Sequence, residues 1–372
     1  MVKPIYLDYN ATVPLLKEVK TSLIDCMDIG PLNPSSIHYY GRKGKIIIDM
    51  AKSNIGELIN ANKNNIIFTS SATEAINLLF NNFKTIIVSS IEHLAVLSSS
   101  ESDHIIPVNQ DGVVDLNFLE LYLKKIAKNS PQILVSVMWV NNETGVIQPI
   151  KEVVEIAKKY KCLVHCDAAQ ALCKININFN EIELDFLTLS GHKIGAPSGV
   201  GALVYNEKIN LKPQILGGGQ EKGMRAGTEN ILGIRGFGEA AKLMINIEEN
   251  NCTKVKSLRD YFQEKIKILS PETVIFGEKV NRVANTLLMA LPKISGELAL
   301  MKLDLESFSV SSGSACSSGK ISKSHVVSAM GYDKLASNSV RFSFPPNDAI
   351  LKLESLITTK ELDRLARCWS NL

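Results

Sequence analysis

The sequence contains no apolar run approaching the roughly 20 residues needed to cross a bilayer. It has no excess of one charge either. The 41 Lys and Arg against 38 Asp and Glu leave +3 over 372 residues, and no basic stripe stands out. Binding to nucleic acid or to a membrane surface is therefore not expected. The start of the chain lacks the apolar core of a secretory leader, because Asp8 falls where that core belongs. A cytoplasmic location is expected. The seven cysteines (Cys26, Cys162, Cys166, Cys173, Cys252, Cys316 and Cys368) are odd in number and thinly spread. They read as reduced thiols rather than a disulfide framework. None of them forms a C-x-x-C pair, so no zinc or other metal site is expected. Gly199-Val200-Gly201 lacks the third glycine of a dinucleotide fingerprint, and no Gly-Lys-Ser/Thr follows the run Gly217 to Gly223.

What is present is ordinary for a water-soluble globular chain: 45% hydrophobic and 21% charged residues. Short β-branched runs alternate with helix-like stretches. Ile66-Ile67-Phe68-Thr69, Thr85 to Ser89, Gln132 to Met138, Cys162 to Cys166, Phe186 to Leu189 and Gly201 to Tyr205 read as strands. Ala72 to Leu79 and Ile150 to Tyr160 read as helices between them. The strands are continuously apolar rather than alternating, the pattern of a mainly parallel sheet covered on both faces. This makes the chain an α/β protein, with ligands expected at the carboxyl ends of the strands. A polar helical stretch from Gly238 to Lys267 leads into a smaller α+β region ending in an amphipathic segment. The division read here is a large domain over 15–255 and a small one formed by 1–14 and 256–372.

Four features fall where chemistry is expected. Thr69-Ser70-Ser71-Ala72-Thr73-Glu74 runs from a strand into a helix, and suits either a phosphate or simple capping. Asp167, in His165-Cys166-Asp167-Ala168-Ala169-Gln170, follows an apolar strand. It serves either as a cap or as the partner of a protonated ring nitrogen. Lys193, in Ser190-Gly191-His192-Lys193, is either a solvated charge or a Schiff-base lysine. Its position in the order phosphate cradle, acid, lysine favours the second. Cys316 lies in the serine- and glycine-rich stretch Ser309 to Gly319. It is either a tolerated loop thiol or one carried to a substrate and away again.

Together these motifs resemble the cysteine desulfurases of the nitrogen-fixation and iron–sulfur-cluster type, within the class V aminotransferase-like pyridoxal phosphate enzymes. The resemblance spans almost the whole chain. It also rests on Tyr6 to Thr12, Asn33 to His38, Glu92 to Leu97, Val140 to Gly145, Gly217 to Glu221, Arg225 to Thr228 and Val340 to Ser343. It implies a fold-type I transferase with a seven-stranded sheet, and pyridoxal 5′-phosphate as cofactor. It implies that Lys193 forms the Schiff base and acts as base, and that Asp167 pairs with the pyridine nitrogen. Ala72, Thr73, Ser190 and His192 would hold the phosphate, with Thr228 reaching that of a partner subunit in a homodimer with shared active sites. Gln170 would bond the ring hydroxyl oxygen, Asn142 would help hold ring and substrate, and His93 would stack on the ring and move protons. Arg341 would grip the carboxylate of L-cysteine as a bidentate fork, a geometry lysine does not copy. Cys316 would take the sulfur as a persulfide, leaving alanine, and pass it to an acceptor or scaffold protein for iron–sulfur cluster or other sulfur biosynthesis.

The setting Ser311 to Cys316 resembles the long-loop group of the family, which prefers cysteine to selenocysteine. Three features depart from the pattern. Phe344-Pro345-Pro346-Asn347 stands where the family continues Leu-Gly-Arg, Gly44 replaces an alanine, and the chain stops soon after Trp369, without the tail that grips a scaffold in some relatives. The alternatives are a selenocysteine or cysteine-sulfinate lyase, and a homologue without turnover serving as a partner protein.

Overall fold

The apolar runs do become strands. The computed structural model describes residues 4–100, 104–127, 132–245, 252–313, 323–352 and 357–372. In chain order its strands are β1 (Ile5–Tyr6), β2 (Ile66–Thr69), β3 (Thr85–Ser89), β4 (Ile105–Ile106), β5 (Ile133–Ser136), β6 (Leu163–Asp167), β7 (Phe186–Ser190), β8 (Gly201–Tyr205), β9 (Val274–Ile275), β10 (Thr286–Ala290), β11 (Phe308–Ser309), β12 (Ser311–Ser312) and β13 (Ser339–Ser343). The helices are α1 (Lys17–Asp28), α2 (Tyr39–Leu58), α3 (Ala72–Phe80), α4 (Leu94–Leu97), α5 (Leu116–Ile126), α6 (Ile150–Lys159), α7 (Phe179–Ile182), α8 (Ile231–Ile245), α9 (Thr253–Leu269), α10 (Gly296–Leu305), α11 (His325–Ala329), α12 (Asp348–Leu351) and α13 (Thr359–Ser370).

Seven strands form one sheet in the order β2-β8-β7-β6-β5-β3-β4. The run β4, β3, β5, β6, β7 is parallel, and β8 lies antiparallel between β7 and β2. Every residue of β2, β5 and β7 is buried, as strands covered on both faces require. His165 sits inside this sheet and bridges three strands, its ring nitrogens 2.8 Å from Ser136 Oγ and 2.9 Å from Thr188 Oγ1. Burial pushes it down to about 3, so it is a neutral structural residue.

A second, four-stranded sheet runs β12-β13-β10-β9, and β1 pairs in parallel with β11. The first strand of the chain therefore lies beside elements from its last quarter. The C-terminal helix α13 buries Trp369, whose indole packs edge-on against Phe342 at 5.6 Å and donates to Thr273 Oγ1.

Two sequence expectations need correction. The stretch from Gly238 to Lys267 is not one polar helix. α8 begins earlier, at Ile231, and buries Ile234, Phe237, Ala240 and Met244, and α9 starts separately at Thr253. The glycines of α8 serve close packing: a Cβ on Gly238 would stand 2.6 Å from the Cα of Ala51 in α2. Nor does the serine-rich stretch begin as open loop, because Ser311 and Ser312 are buried and paired with Arg341 and Val340. Cys316 itself lies outside the described residues.

Candidate active site

Parallel strands end on one side of a sheet, and the site forms there. β6 ends in Asp167 and the neighbouring β7 in Ser190. A single 3-10 turn, Gly191–Ile194, then carries His192 and Lys193. Lys193 Nζ donates to two main-chain oxygens, Asn10 O at 2.6 Å and Ala11 O at 3.0 Å. Asp167 is 6% exposed, and its Oδ1 accepts from the Ala169 N–H at 2.9 Å. Burial pushes its carboxyl up, opposed by that N–H and by the positive charge of His93 and Lys193. His192 is pushed down to about 4, first by burial and then by Lys193. It is a neutral ring at pH 7.

α3 begins directly after β2. Ser71 caps it, accepting from the Glu74 N–H, so the first amides, those of Ala72 and Thr73, have no intrahelical acceptor. The antiparallel strand β8 passes close behind this helix end. A Cβ on Gly201 would stand 2.5 Å from Ser71 C and 2.8 Å from Ala72 N, so only glycine lets the two approach.

His93 follows β3 and caps α4, its Nδ1 accepting from the Ala95 N–H at 3.1 Å. In the neutral ring this leaves the proton on Nε2. Arg341 arrives from the other sheet, on β13. Its guanidinium is 4% exposed and donates to Asp8 Oδ1 at 2.6 Å and to Asn142 O at 3.1 Å. Its Nε has no partner among the described residues.

Ala72, Thr73, His93, Asn142, Asp167, Gln170, Ser190, His192, Lys193 and Arg341 all line one cavity of about 310 Å³. Ile76, Met138 and Val140 supply apolar wall. Thr228 is not brought there. It is exposed, in a separate cleft of about 210 Å³ with Thr69, Ser70 and Arg225. Among the described residues no three His, Cys, Asp or Glu side chains are arranged to hold a metal, and no helix is long and apolar enough to cross a membrane.

Three site residues escaped the sequence reading. Asn10 is a hub: its main-chain oxygen accepts from Lys193 and from Gln170 Nε2, and its Nδ2 donates to Thr286 Oγ1 and Asn142 O. Lys174 Nζ reaches Asn10 Oδ1 at 2.7 Å and Gln170 Oε1 at 2.5 Å. Asp8 is the partner of Arg341. The only signal in the sequence was that Asp8 and Asn10 lie in a matching motif, and that Lys174 stands four residues after Gln170 in a turn.

The donor set fits pyridoxal phosphate. It offers free helix amides with Ser190 and His192 at one end, a buried acid, an amine and a guanidinium, all facing one apolar-walled space. Residues 5–354 match the family described as aminotransferase class-V. The chain is 38% identical to the cysteine desulfurase IscS of Dictyoglomus turgidum, over 97% of this chain and 92% of that one. The chain belongs to the class-V aminotransferases, among their cysteine desulfurases. It is 35% identical to the cysteine desulfurase NifS of Azotobacter vinelandii, over 98% and 91% of the two chains. The crystal structure of a NifS-like protein from Rickettsia africae superposes with a TM-score of 0.89 at 36% identity, covering 99% of each chain. The class-V family uses pyridoxal phosphate, which is the cofactor of this enzyme.

Proposed function

We propose that this class-V enzyme takes sulfur from L-cysteine, leaving L-alanine and a persulfide on Cys316 that passes to an acceptor protein for iron–sulfur cluster or other sulfur biosynthesis. The observation that carries the reading is the convergence of Lys193, Asp167 and Arg341 on one cavity. Bound there, pyridoxal phosphate supplies an electron sink for the substrate's α-carbon. Ala72 and Thr73, with Ser190 and His192, would hold its phosphate. Asp167, beside Lys193 and His93, would pair with the ring nitrogen, and Gln170 would bond the ring oxygen.

Lys193 would hold the cofactor covalently, and its amine would serve as the base toward the substrate's α-proton. Its two carbonyl acceptors fix its direction. Arg341 holds the substrate carboxylate, giving up part of its hold on Asn142 O, and Asp8 keeps the guanidinium in plane. Asn142 borders both ring and substrate. His93, whose ring lines the cavity, serves proton transfer. Cys316, as thiolate, forms an S–S bond with the substrate sulfur as the C–S bond breaks, and a proton goes to the carbon skeleton to give alanine.

A homodimer with shared active sites belongs to the same proposal. Thr228 is exposed and lies outside its own chain's cavity. α1 and α2 expose Ile24, Met27, Tyr39, Ile46 and Met50, an apolar surface that a second copy would cover. The two domains, 15–255 and 1–14 with 256–372, are proposed with it, the separate sheets supporting the division.

The test is turnover of L-cysteine, following alanine and the gain of one sulfur atom on Cys316 by mass spectrometry. Cys316→Ser is expected to keep the visible cofactor band and lose desulfuration. Sulfide release at the native rate by that variant would remove Cys316 from its role. Strong preference for selenocysteine would replace the reading with a selenocysteine lyase.

A further inference from the structure

Lys174 is a half-buried lysine that the proposed reaction does not use. It belongs to the turn that follows β6, where Ala171 and Leu172 bond back to Ala168 and Lys174 bonds back to Ala171. Cys173, at φ +66, takes the left-handed conformation rare for a residue with a side chain, and the turn it makes brings Lys174 against Asn10 and Gln170, which line the cavity. Among the described residues no carboxylate meets the amine. It bonds two side-chain amide oxygens, Asn10 Oδ1 and Gln170 Oε1. Lys193, Arg341, Cys173 and Cys252 are the titratable groups that face it, and burial together with the first two holds its ammonium well below the ordinary lysine range.

The consequence lies in the amide it touches. A glutamine presents a donor at one end and an acceptor at the other, and its neighbours decide which end faces where. Lys174 points an N–H at Oε1 of Gln170, while Nε2 donates to Asn10 O at 2.8 Å. The amide NH2 has a second proton, and Gln170 lines the cavity. Asn10 cannot turn its own amide to compensate, because its Nδ2 is committed to Thr286 Oγ1 and Asn142 O. We propose that Lys174 is a positioning residue: it locks the amide of Gln170 so that the cavity meets a donor, which the ring oxygen of the cofactor requires when it carries negative charge. This rests on the reading of the cavity as a pyridoxal phosphate site with Gln170 at the ring oxygen.

The experiment follows the visible absorption of the purified holoenzyme against pH, in a double-mutant cycle of Lys174→Met and Gln170→Leu. A donor to the ring oxygen lowers the pKa that the absorption reports, so losing the donor raises it. Lys174→Met is expected to raise that pKa by about one unit, a tenfold change in the proton equilibrium. In the Gln170→Leu background it is expected to add nothing. An equal rise in that background would show Lys174 acting by charge alone and would overturn the proposal, as would no rise in the native background. Gln170→Glu leaves Lys174 its acceptor and puts a carboxylate oxygen in place of the Nε2 donor that serves both the cavity and Asn10 O. It must raise the pKa at least as far, and no rise overturns the proposal even where Lys174→Met fails to fold. A native protein with no visible band would sink the reading of the site and this role with it. A native band whose titration Lys174→Met leaves unmoved sinks the role of Lys174 alone.

Discussion

Lys193 donates its amine to the main-chain oxygen of Asn10 at 2.6 Å, across 183 residues of sequence. The contact aims the amine into the cavity without neutralising it, because a carbonyl accepts a hydrogen bond and offers no opposite charge. Lys193→Ala is expected to remove the visible cofactor band and lower turnover by at least about 10²–10⁴-fold, the range of a lost general base. The melting temperature should change little. Absorption spectra and steady-state rates check it, and a retained band would exclude Lys193 as the point of attachment.

Arg341 is buried between Asp8 and Asn142. Arg341→Lys keeps the charge and loses the planar fork. The variant is expected to raise the KM for L-cysteine about 10- to 100-fold, as for loss of a charge-assisted hydrogen bond of about 1.5–3 kcal/mol. Cofactor binding should be preserved. Initial rates over a range of cysteine concentrations separate this from a defect confined to kcat.

Gly201 allows β8 to pass behind the first turn of α3. Gly201→Ala places a methyl against two backbone atoms, which cannot move as a side chain can. Overpacking of this kind costs about 1–3 kcal/mol. The strain falls on the helix end proposed to hold the phosphate, so cofactor should dissociate faster on dilution. Equal retention in the variant and the native protein would argue against phosphate binding at Ala72 and Thr73.

Glu92 is buried behind the site. Its Oε1 accepts from Ser89 Oγ at 2.6 Å and from the Met138 N–H at 2.7 Å, and its Oε2 has no partner among the described residues. Burial is the largest cause pushing its carboxyl up, to about 8 from an ordinary 4.5. The folded form therefore binds a proton that the unfolded chain releases. Its contribution to stability is full below 4.5 and is lost as pH rises to about 8. The slope in that window is at most about 1.4 kcal/mol per pH unit. Glu92→Gln should flatten it, and denaturant melts of both proteins from pH 5 to 9 would show two parallel curves if Glu92 were ionised throughout.

Shared active sites predict complementation between chains. Mixing Lys193→Ala subunits with Thr228→Ala subunits, after unfolding and reassembly, creates mixed dimers. In these, one site carries both lesions and the other neither. Activity should recover to about a quarter of native for random pairing, if each parent is inactive. No recovery, with light scattering showing mixed dimers, would place Thr228 at its own chain's cavity or at none.

The sequence showed the strand ends well, because continuous apolar runs such as Phe186 to Leu189 have few alternatives in a chain of this length. It placed Asp167, His192 and Lys193 at those ends, and the cavity does collect them. It was silent where the deciding neighbour is remote. Asn10 gains its meaning from Lys193, Gln170 and Thr286, and Lys174 gains its own from a left-handed turn at Cys173 that no propensity announces. α8 was misread for a related reason. Its glycines look like breaks in a helix until α2 is seen lying against them at the distance of a missing Cβ.

The pairing of Asp8 with Arg341, 333 residues apart, also dictates a timetable. The ribosome makes Asp8 and Asn10 at the start and Arg341 near the end, and β1 waits for β11 before it has a neighbour. The large sheet has all its strands by Tyr205, yet the cavity lacks the Arg341 guanidinium until β13 is made. The grip proposed for the substrate's carboxylate is then a late event of synthesis, while Asp167 and Lys193, proposed for the cofactor, are made long before it.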